Sequence, residues 1–469
     1  MRLSNPILRP QFSHPLSLSF IVVAALLLMF PPKTLGEPGT GEKPNLGGDR
    51  ITQAQIAEGI LSFKEILGFG LRIFSTPFNK FDGYGERAPE LRPTLQGNGT
   101  FLRVNGLDAQ SCLECHSIVS SATIPASFGV GGAGGSSTNV ISRPSYIDME
   151  DGSMDGRFIN PPFLFGSGGV ELLAKEMTIR LQDLKAQALA NPGAEVALEA
   201  KGVSFGTIIA DDAGNLDTSR IKGINEDLVV RPFGRKGEFA TVRAFDRGAM
   251  QFHFGMQPAE VVGKGSDPDE DGVTDEILIG ELSALHIWST TLPKPEIVKL
   301  SKNSSRGFMI FNQIGCANCH RPFLNTNTQL LTYSFPEEEE NPKANIFYEI
   351  DLKKTANLRP NKDGGIDVPL FADLKRHDMG PGLAESFEGD VPKGEFTTAR
   401  LWGVADTAPY LHDGRALTIK EAILMHGGEA EASRDDFVAL EYERMQALLS
   451  FLHSLRTPTK PIQVKLMVK

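Results

Sequence analysis

The sequence holds four cysteines, and all four fall in two copies of one pentapeptide, Cys112-Leu-Glu-Cys-His116 and Cys316-Ala-Asn-Cys-His320. This repetition constrains the chain more than any other feature. Cys-x-x-Cys-His is the attachment signature of c-type haem. Two thiols one helical turn apart can each add to one vinyl group of a haem, and the adjacent histidine then lies under the ring as an axial ligand of the iron. A zinc ribbon would bring its second cysteine pair about 15–20 residues after the first, whereas here the pairs are 316 − 112 = 204 residues apart. A zinc site or a redox dithiol would also leave both histidines without a role. Two covalently attached haems are therefore expected, one on Cys112 and Cys115 with His116 on the iron, the other on Cys316 and Cys319 with His320.

A length of 469 residues allows two or three domains. The net charge of −11 argues against nucleic acid as a partner and permits attraction to a basic redox protein. The N-terminus reads as an export signal. Arg2 and Arg9 precede an apolar stretch from Leu16 to Phe30, Pro31 and Pro32 end it, and Thr34-Leu35-Gly36 offers small residues for cleavage. An uncleaved anchor is the competing reading, although the stretch is short for a span and no other segment is long and apolar enough. These features predict a signal peptide over 1–36, a periplasmic or otherwise exported protein, and no transmembrane segment after cleavage. Thioether bonds to haem would also keep the four cysteines out of disulfides in an oxidising compartment.

Along the chain, residues 37–50 are polar and rich in Gly and Pro, as a linker is. Apolar residues recur at helical spacing between Ile51 and Phe74 and again over Val170–Ala190. Short β-like runs occur at Val203–Ile209 and Asp227–Val230. Pro293 and Pro295 mark a boundary, so the first haem motif is assigned to a domain over 51–295 and the second to one over 296–469. A helix from about Ser304 leads into Cys316. Thr418 with Glu421 forms a capping box for a helix over Ile419–His426 that stops at Gly427-Gly428. A second helix beginning near Ser433 carries a broad apolar face and is expected to pack on the helix before Cys316.

The stretch Asp267-Pro-Asp269-Glu-Asp271-Gly272-Val273-Thr-Asp275-Glu276 has carboxylates at alternate positions before a glycine turn. Oxygen ligands in this order can wrap Ca²⁺, with Asp267, Asp269, Asp271, the Val273 carbonyl and Asp275 or Glu276 as candidates. The twelfth loop position is Leu278, so a standard EF-hand is not matched, and an acidic solvated turn is the alternative.

From about residue 300 onward the chain resembles the di-haem oxidoreductases related to bacterial di-haem cytochrome c peroxidases. The resemblance is carried by Val368–Gly380 (VPLFADLKRHDMG), Thr398–Gly403 (TARLWG), Ala408–Ala416 (APYLHDGRA) and Glu421–Ala430 (EAILMHGGEA). It implies a division of labour, in which the N-terminal haem reacts with peroxide and the C-terminal haem takes up and relays electrons. In the peroxidases a Met near the end of the corresponding helix ligates the second haem. Aligned on Ile419–Ile423, that position falls on His426, with Met425 and Met379 as alternatives. Bis-His ligation would lower the potential of that haem, and a helix-terminal His interacting with the dipole is the plainer reading. The resemblance also points to Glu176, in Glu176-Met177, 176 − 116 = 60 positions after His116, as a carboxylate able to move a proton between peroxide oxygens. An ordinary exposed helical Glu is the alternative. His253, in Phe-His-Phe-Gly-Met256, is a second candidate for the distal side of the first haem, set against packing as a core residue. Trp402 is read as core, with transfer of an electron between the haems as the other possibility.

The sequence therefore predicts a mainly α protein of two cytochrome-c-like haem domains with long loops and a few short strands. It predicts a peroxidase-like oxidoreductase with two haem c groups and Ca²⁺, reacting with peroxide and drawing electrons from a small redox protein. A non-catalytic electron-transfer cytochrome and a dioxygen-using di-haem oxygenase are the alternatives.

Overall fold

The computed structural model describes residues 43–85, 109–114, 116, 140–141, 157–158, 161–385 and 391–458. The expected signal peptide and Cys115 lie outside the described residues.

Two capped helices come first. Helix α1 (Gln53–Ala57) starts at Thr52 and α2 (Phe63–Ser75) at Ser62, each with a capping box closed by Gln55 or Glu65. Gly59, at φ +69°, separates them, so the apolar run 51–74 forms two helices where its periodicity alone allowed one. Helix α3 (Ser167–Ala190) buries Val170, Leu173, Met177, Leu181 and Leu184 along one face. Strands β1 (Glu195–Ala200), β2 (Val203–Ala210) and β3 (Leu216–Asp217) follow as an antiparallel sheet in sequence order. Val196, Leu198 and Ala200 turn inward while Glu195, Ala197 and Glu199 face out, the period-two pattern of a sheet with one buried face. Helix α4 (Val242–Phe254) and the wholly buried α5 (Ile279–Thr290) come next.

Helix α6 (Lys302–Gln313) leads into the turn at Cys316–Asn318. Strands β4 (Leu330–Ser334) and β5 (Ile346–Asp351) pair antiparallel, as do β6 (Arg376–Asp378) and β7 (Glu395–Thr397). Helices α7 (Ile419–Leu424), α8 (Glu431–Val438) and α9 (Tyr442–Leu452) end the chain. The capping box at Thr418 is present as read from the sequence. Helix α9 packs on α6 so closely that a Cβ at Gly307 would sit 1.9 Å from the Ala447 carbonyl oxygen. The apolar run after Ser433 is broken at Ala439–Glu441 into α8 and α9.

Three apolar clusters organise these elements. The largest joins α3, β1, β2 and Ala284 and Ile287 of α5 to Leu331, Ile350, Val368 and Leu374. It draws on both sides of Pro295, so no break in the core marks that boundary. A second cluster, from α2, α4 and α5, packs against Cys112 and Leu113. A third, from α6, α7 and α9, packs against Cys316 and Ala317. At the seam between them Gly166 (φ +77°) lies over the indole of Trp402; a Cβ there would come within 2.5 Å of the ring.

The expectation of a mainly α protein of two cytochrome-c-like domains is overturned. Among the described residues 37% are helical and 16% are strand. The reason is visible in the chain. Segments with alternating inward and outward residues, such as β1, β2 and β4, fill the stretches between helices and build the largest core. Val203–Ile209 is a strand as read, whereas Asp227–Val230 is not. Leu228 there takes φ +60°, which a strand cannot contain. Among the described residues no helix is long and apolar enough to cross a membrane.

Candidate haem and cation sites

Each haem motif is presented by a short 3-10 turn, Cys112–Glu114 and Cys316–Asn318, and each turn closes with the His N–H donating to the first Cys carbonyl, His116 at 2.9 Å and His320 at 3.0 Å. This places the histidine directly beyond the half-buried thiols. In both, the ring is oriented by main chain. His116 Nδ1–H donates to the Pro162 carbonyl at 2.7 Å. His320 Nδ1–H is shared between the carbonyls of Phe371 (3.2 Å) and Ala399 (3.1 Å). A carbonyl can only accept, so the proton sits on Nδ1 and Nε2 keeps a bare lone pair, the state a metal requires. Burial pushes both rings down, His320 to about 4, which keeps them neutral.

At the second motif, His426 faces His320 with ring centroids 6.4 Å apart. Its Nδ1–H donates to the Ala422 carbonyl at 2.8 Å, one helical turn back, so its Nε2 is also bare, and burial lowers its pKa. Two imidazole nitrogens each about 2 Å from one metal put ring centres roughly 6 Å apart. The residues at this site therefore fit a haem iron between two histidines. Met425 caps α7 with 38% of its surface exposed, and Met379 is held by main chain, its N–H donating to Gly394.

At the first motif, α4 supplies the opposing wall. The Phe245 ring meets His116 edge-on, centroids 6.4 Å apart. His253, eight residues further along the helix, has its pKa pushed down to about 4, first by burial and then by His116 nearby. His116, Phe245, Asp246 and His253 are only part-buried by surface area, yet His116, Asp246 and His253 lie deep in the protein. Phe245 and His253 are thus the α4 residues set against His116.

Glu176 is placed elsewhere. Its carboxylate accepts from the main-chain N–H of Asn327 (2.8 Å) and Thr328 (3.2 Å) and pairs with Lys201 at 2.6 Å. It lines a cleft of about 870 Å³ with Arg180, Lys201 and Arg321, the last being the residue after His320. The structure thus sets Glu176 on the side of the second motif, as an anchor between α3 and the segment after it. Helical spacing could not tell which face of α3 meets the first haem.

In the acidic loop the carboxylates of Asp267, Asp269 and Asp271 lie within 4.8 Å of one another. Main chain folds them inward: Asp271 and Gly272 N–H donate to Asp267, and Val273 N–H to Asp271. Asp275 is turned away to accept from Gly265 N–H at 2.9 Å. Glu276 is 3% exposed, accepts from Gln257 N–H at 2.7 Å, and is pushed up to about 9 by burial, then by the three aspartates. Three carboxylates held this close repel unless a cation joins them, so Asp267, Asp269 and Asp271 fit a hard divalent ion.

Two arrangements had no reading in the sequence. His377, inside the VPLFADLKRHDMG stretch, is clamped between Asp373 (Nε2, 2.8 Å) and Glu429 (Nδ1, 2.8 Å), 3.8 Å from the Cys319 sulfur. Burial opposes its charge, but Asp373 and the sulfur outweigh that and lift it to about 11. The sulfur is here a thiol, and as a thioether it would no longer contribute charge. The other is a buried polar cluster on α3 and α5. Glu171, fully buried, accepts from His286 Nε2 at 2.8 Å and Val242 N–H at 2.9 Å, and faces Lys175 Nζ at 2.8 Å. Both clusters join residues far apart in the chain, His377 to Glu429 across 52 positions and Glu171 to His286 across 115, and leave no local pattern.

Comparison with known proteins places these sites in context. Residues 362–455 match the family described as Di-haem oxidoreductase, putative peroxidase. A 167-residue stretch is 28% identical to the cytochrome-c peroxidase IdrP2 of Pseudomonas sp. (strain SCT), covering 34% of this chain and 42% of that protein. The chain thus aligns with less than half the length of this relative. Among solved structures, hydrazine synthase of Kuenenia stuttgartiensis aligns over 94% of this chain and 100% of that chain at 14% identity, TM-score 0.33. A MauG-like protein associated with microbial copper homeostasis aligns over 62% of this chain and 89% of its own at 14% identity, TM-score 0.28. A di-haem family implies haem cofactors, in keeping with two pentapeptide motifs in one chain. The residues matched, 362–455, hold His377, Trp402 and His426 and fall within the stretch whose sequence resembles the di-haem oxidoreductases.

Proposed function

We propose that the protein is an exported di-haem oxidoreductase of peroxidase type, with haem c attached through Cys112 and Cys115 and through Cys316 and Cys319. In this reading peroxide reacts at the site of His116, and electrons from a small redox protein enter at the site of His320 and His426. The N-terminal part, 51–295, holds the first site and the C-terminal part, 296–469, the second. The observation that carries the reading is the difference between the two sites. His320 is opposed by a second imidazole at ligand spacing, whereas the groups set against His116 are the edge of the Phe245 ring and the more distant His253.

When bound, haem supplies the metal centre that exchanges electrons with peroxide. The protein's part is to orient it and handle protons. The Pro162, Phe371 and Ala399 carbonyls fix the proximal rings; Ala422 fixes His426. Mass spectrometry of the mature protein should show two haem additions and loss of the leader. Stopped-flow mixing with H₂O₂ tests the reaction, and absence of reaction in every redox state defeats the peroxidase reading. The nearness of His253 to His116 favours a second reading, an electron carrier with both irons six-coordinate. A low-spin first haem in both redox states, inert to H₂O₂, would establish that instead.

We also propose that Asp267, Asp269 and Asp271 hold Ca²⁺, with the Val273 carbonyl and Glu276 completing the set. Calcium at about 100 times its dissociation constant should stabilise the fold by about 2.7 kcal/mol. Thermal melts with Ca²⁺ and with chelator measure this. An Asp269→Asn, Asp271→Asn variant should lose the difference, and equal melts of the parent protein in both conditions would sink the site.

A further inference from the structure

The wall opposite His116 leads into a group of buried acids that outnumber their cations. Asp246 lies on α4 seven residues before His253, two helical turns, so it shares the helix face of His253, which stands near His116. Its Oδ2 is buried and has no hydrogen-bond partner among the described residues. The charged groups that face it are Arg243, Glu171, Glu337 and Glu260. Of these, Arg243 is committed to Glu260 and to Ser283 Oγ at 2.6 Å, and Arg247 lies outward, 3.8 Å from Glu260. Glu171 takes both Lys175 and His286. Among the described residues Glu337 accepts from Thr241 Oγ1 alone, at 2.7 Å, and its Oε1 is buried without a partner.

Three carboxyl groups, Asp246, Glu171 and Glu337, thus face Lys175, His286 and Arg243, of which Glu171 pairs with the first two and Glu260 with the third. Charge in a low-dielectric interior must be compensated or neutralised. Asp246 and Glu337 are the two left over. Burial, the leading cause for each, raises both carboxyls, Asp246 well above the ordinary range. Glu337 opens the run Glu337–Glu340, whose Glu338 and Glu340 are exposed. The cluster therefore runs from a surface acidic loop to the face of α4 that carries His253.

We propose that Asp246 is the proton-delivering carboxyl of the first haem site, supplied from solvent through Glu337. The inference rests on the peroxidase reading and assigns the acid–base role within it. The balance is simple: one H₂O₂, two protons and two electrons give two waters. The O–O bond breaks and two O–H bonds form. The electrons come from the redox-protein donor through the second site, and the protons come through Glu337 and Asp246.

The test uses the full di-haem protein and Asp246→Asn, with Glu337→Gln beside it. Infrared difference spectra between redox states should show a protonated carboxyl in the parent protein and lose it in Asp246→Asn. The potential of the first haem should vary with pH in the parent and less so in Asp246→Asn. Peroxide consumption in stopped flow should fall by roughly 10²–10⁴-fold in Asp246→Asn, and Glu337→Gln should slow it with a larger solvent deuterium effect. An Asp246→Asn protein that keeps the parent's carboxyl signal, pH slope and rate overturns the proposal. If that variant does not fold, Asp246→Glu serves: it should keep the carboxyl signal and shift the pH slope, and a slope and rate identical to the parent's overturn the assignment equally. If the parent protein never reacts with peroxide, the peroxidase reading fails, while the spectra and pH slope still decide whether Asp246 carries a proton coupled to the first haem.

Discussion

Replacing Glu171 by Ala should cost about 3–5 kcal/mol of stability, the penalty for removing one partner of a buried ion pair. Glu171 is wholly inaccessible. Its loss strands Lys175, whose remaining partner is the Thr332 carbonyl at 2.6 Å, and leaves the Val242 N–H without an acceptor. Burial works against the Glu171 charge, but His286 and Lys175 overcome it and hold the carboxyl down at about 2. A depressed carboxyl contributes stability that is complete above its unfolded pKa, near 4.3, and is lost as pH falls toward 2. Denaturant unfolding at pH 7 and through this acid window should therefore show a large deficit for Glu171→Ala that shrinks as the pH drops. A deficit below about 1 kcal/mol, or one independent of pH, would show that the cluster does not hold α3, α4 and α5 together.

On the proposed attachment of haem through Cys316 and Cys319, with His426 as its second imidazole, replacing His426 by Ala should convert the second haem from low-spin to high-spin, or to another ligation, with the thioether bonds intact. His426 faces His320 at 6.4 Å between centroids, and both rings have Nδ1 engaged with carbonyls. The variant leaves one axial position open, and the potential should rise as an imidazole donor is lost. EPR and optical spectra of both redox states read the change. An unaltered low-spin spectrum would move the assignment to Met379 or Met425, and Met379→Ala would then separate those two.

Some of this was legible in the sequence because it is local. The pentapeptides and the capping box at Thr418 lie within a turn or two of chain, and the apolar face of α3 repeats one spacing along a single helix, so spacing determines geometry in each. The acidic loop was legible for the same reason, and its three aspartates do converge. What failed was what depends on facing. Glu176 has the right distance along the chain from His116, yet its side of α3 meets Asn327 and Lys201. The strand content was missed because β4 through β7 pair in short antiparallel ladders whose partners are set by loops, among them one where Tyr333 and Ser334 shift register. Asp246 carried no signal at all, since its environment is assembled from α3, α4 and the Glu337 loop.

The contact of Gly166 with Trp402 has a consequence for how the two haem sites communicate. Pro162, which orients His116, lies four residues before Gly166, and Ala399, which orients His320, lies three before Trp402. The glycine and the indole are in van der Waals contact with no space for a Cβ between them. The two proximal rings are thus tied to segments that bear on one another, and a shift of one segment loads the other. Thermodynamic linkage makes any such coupling reciprocal: the change that reduction of one haem makes to the potential of the other must equal the change made in return. A bulkier residue at 166 would alter that shared interaction energy while touching neither haem motif.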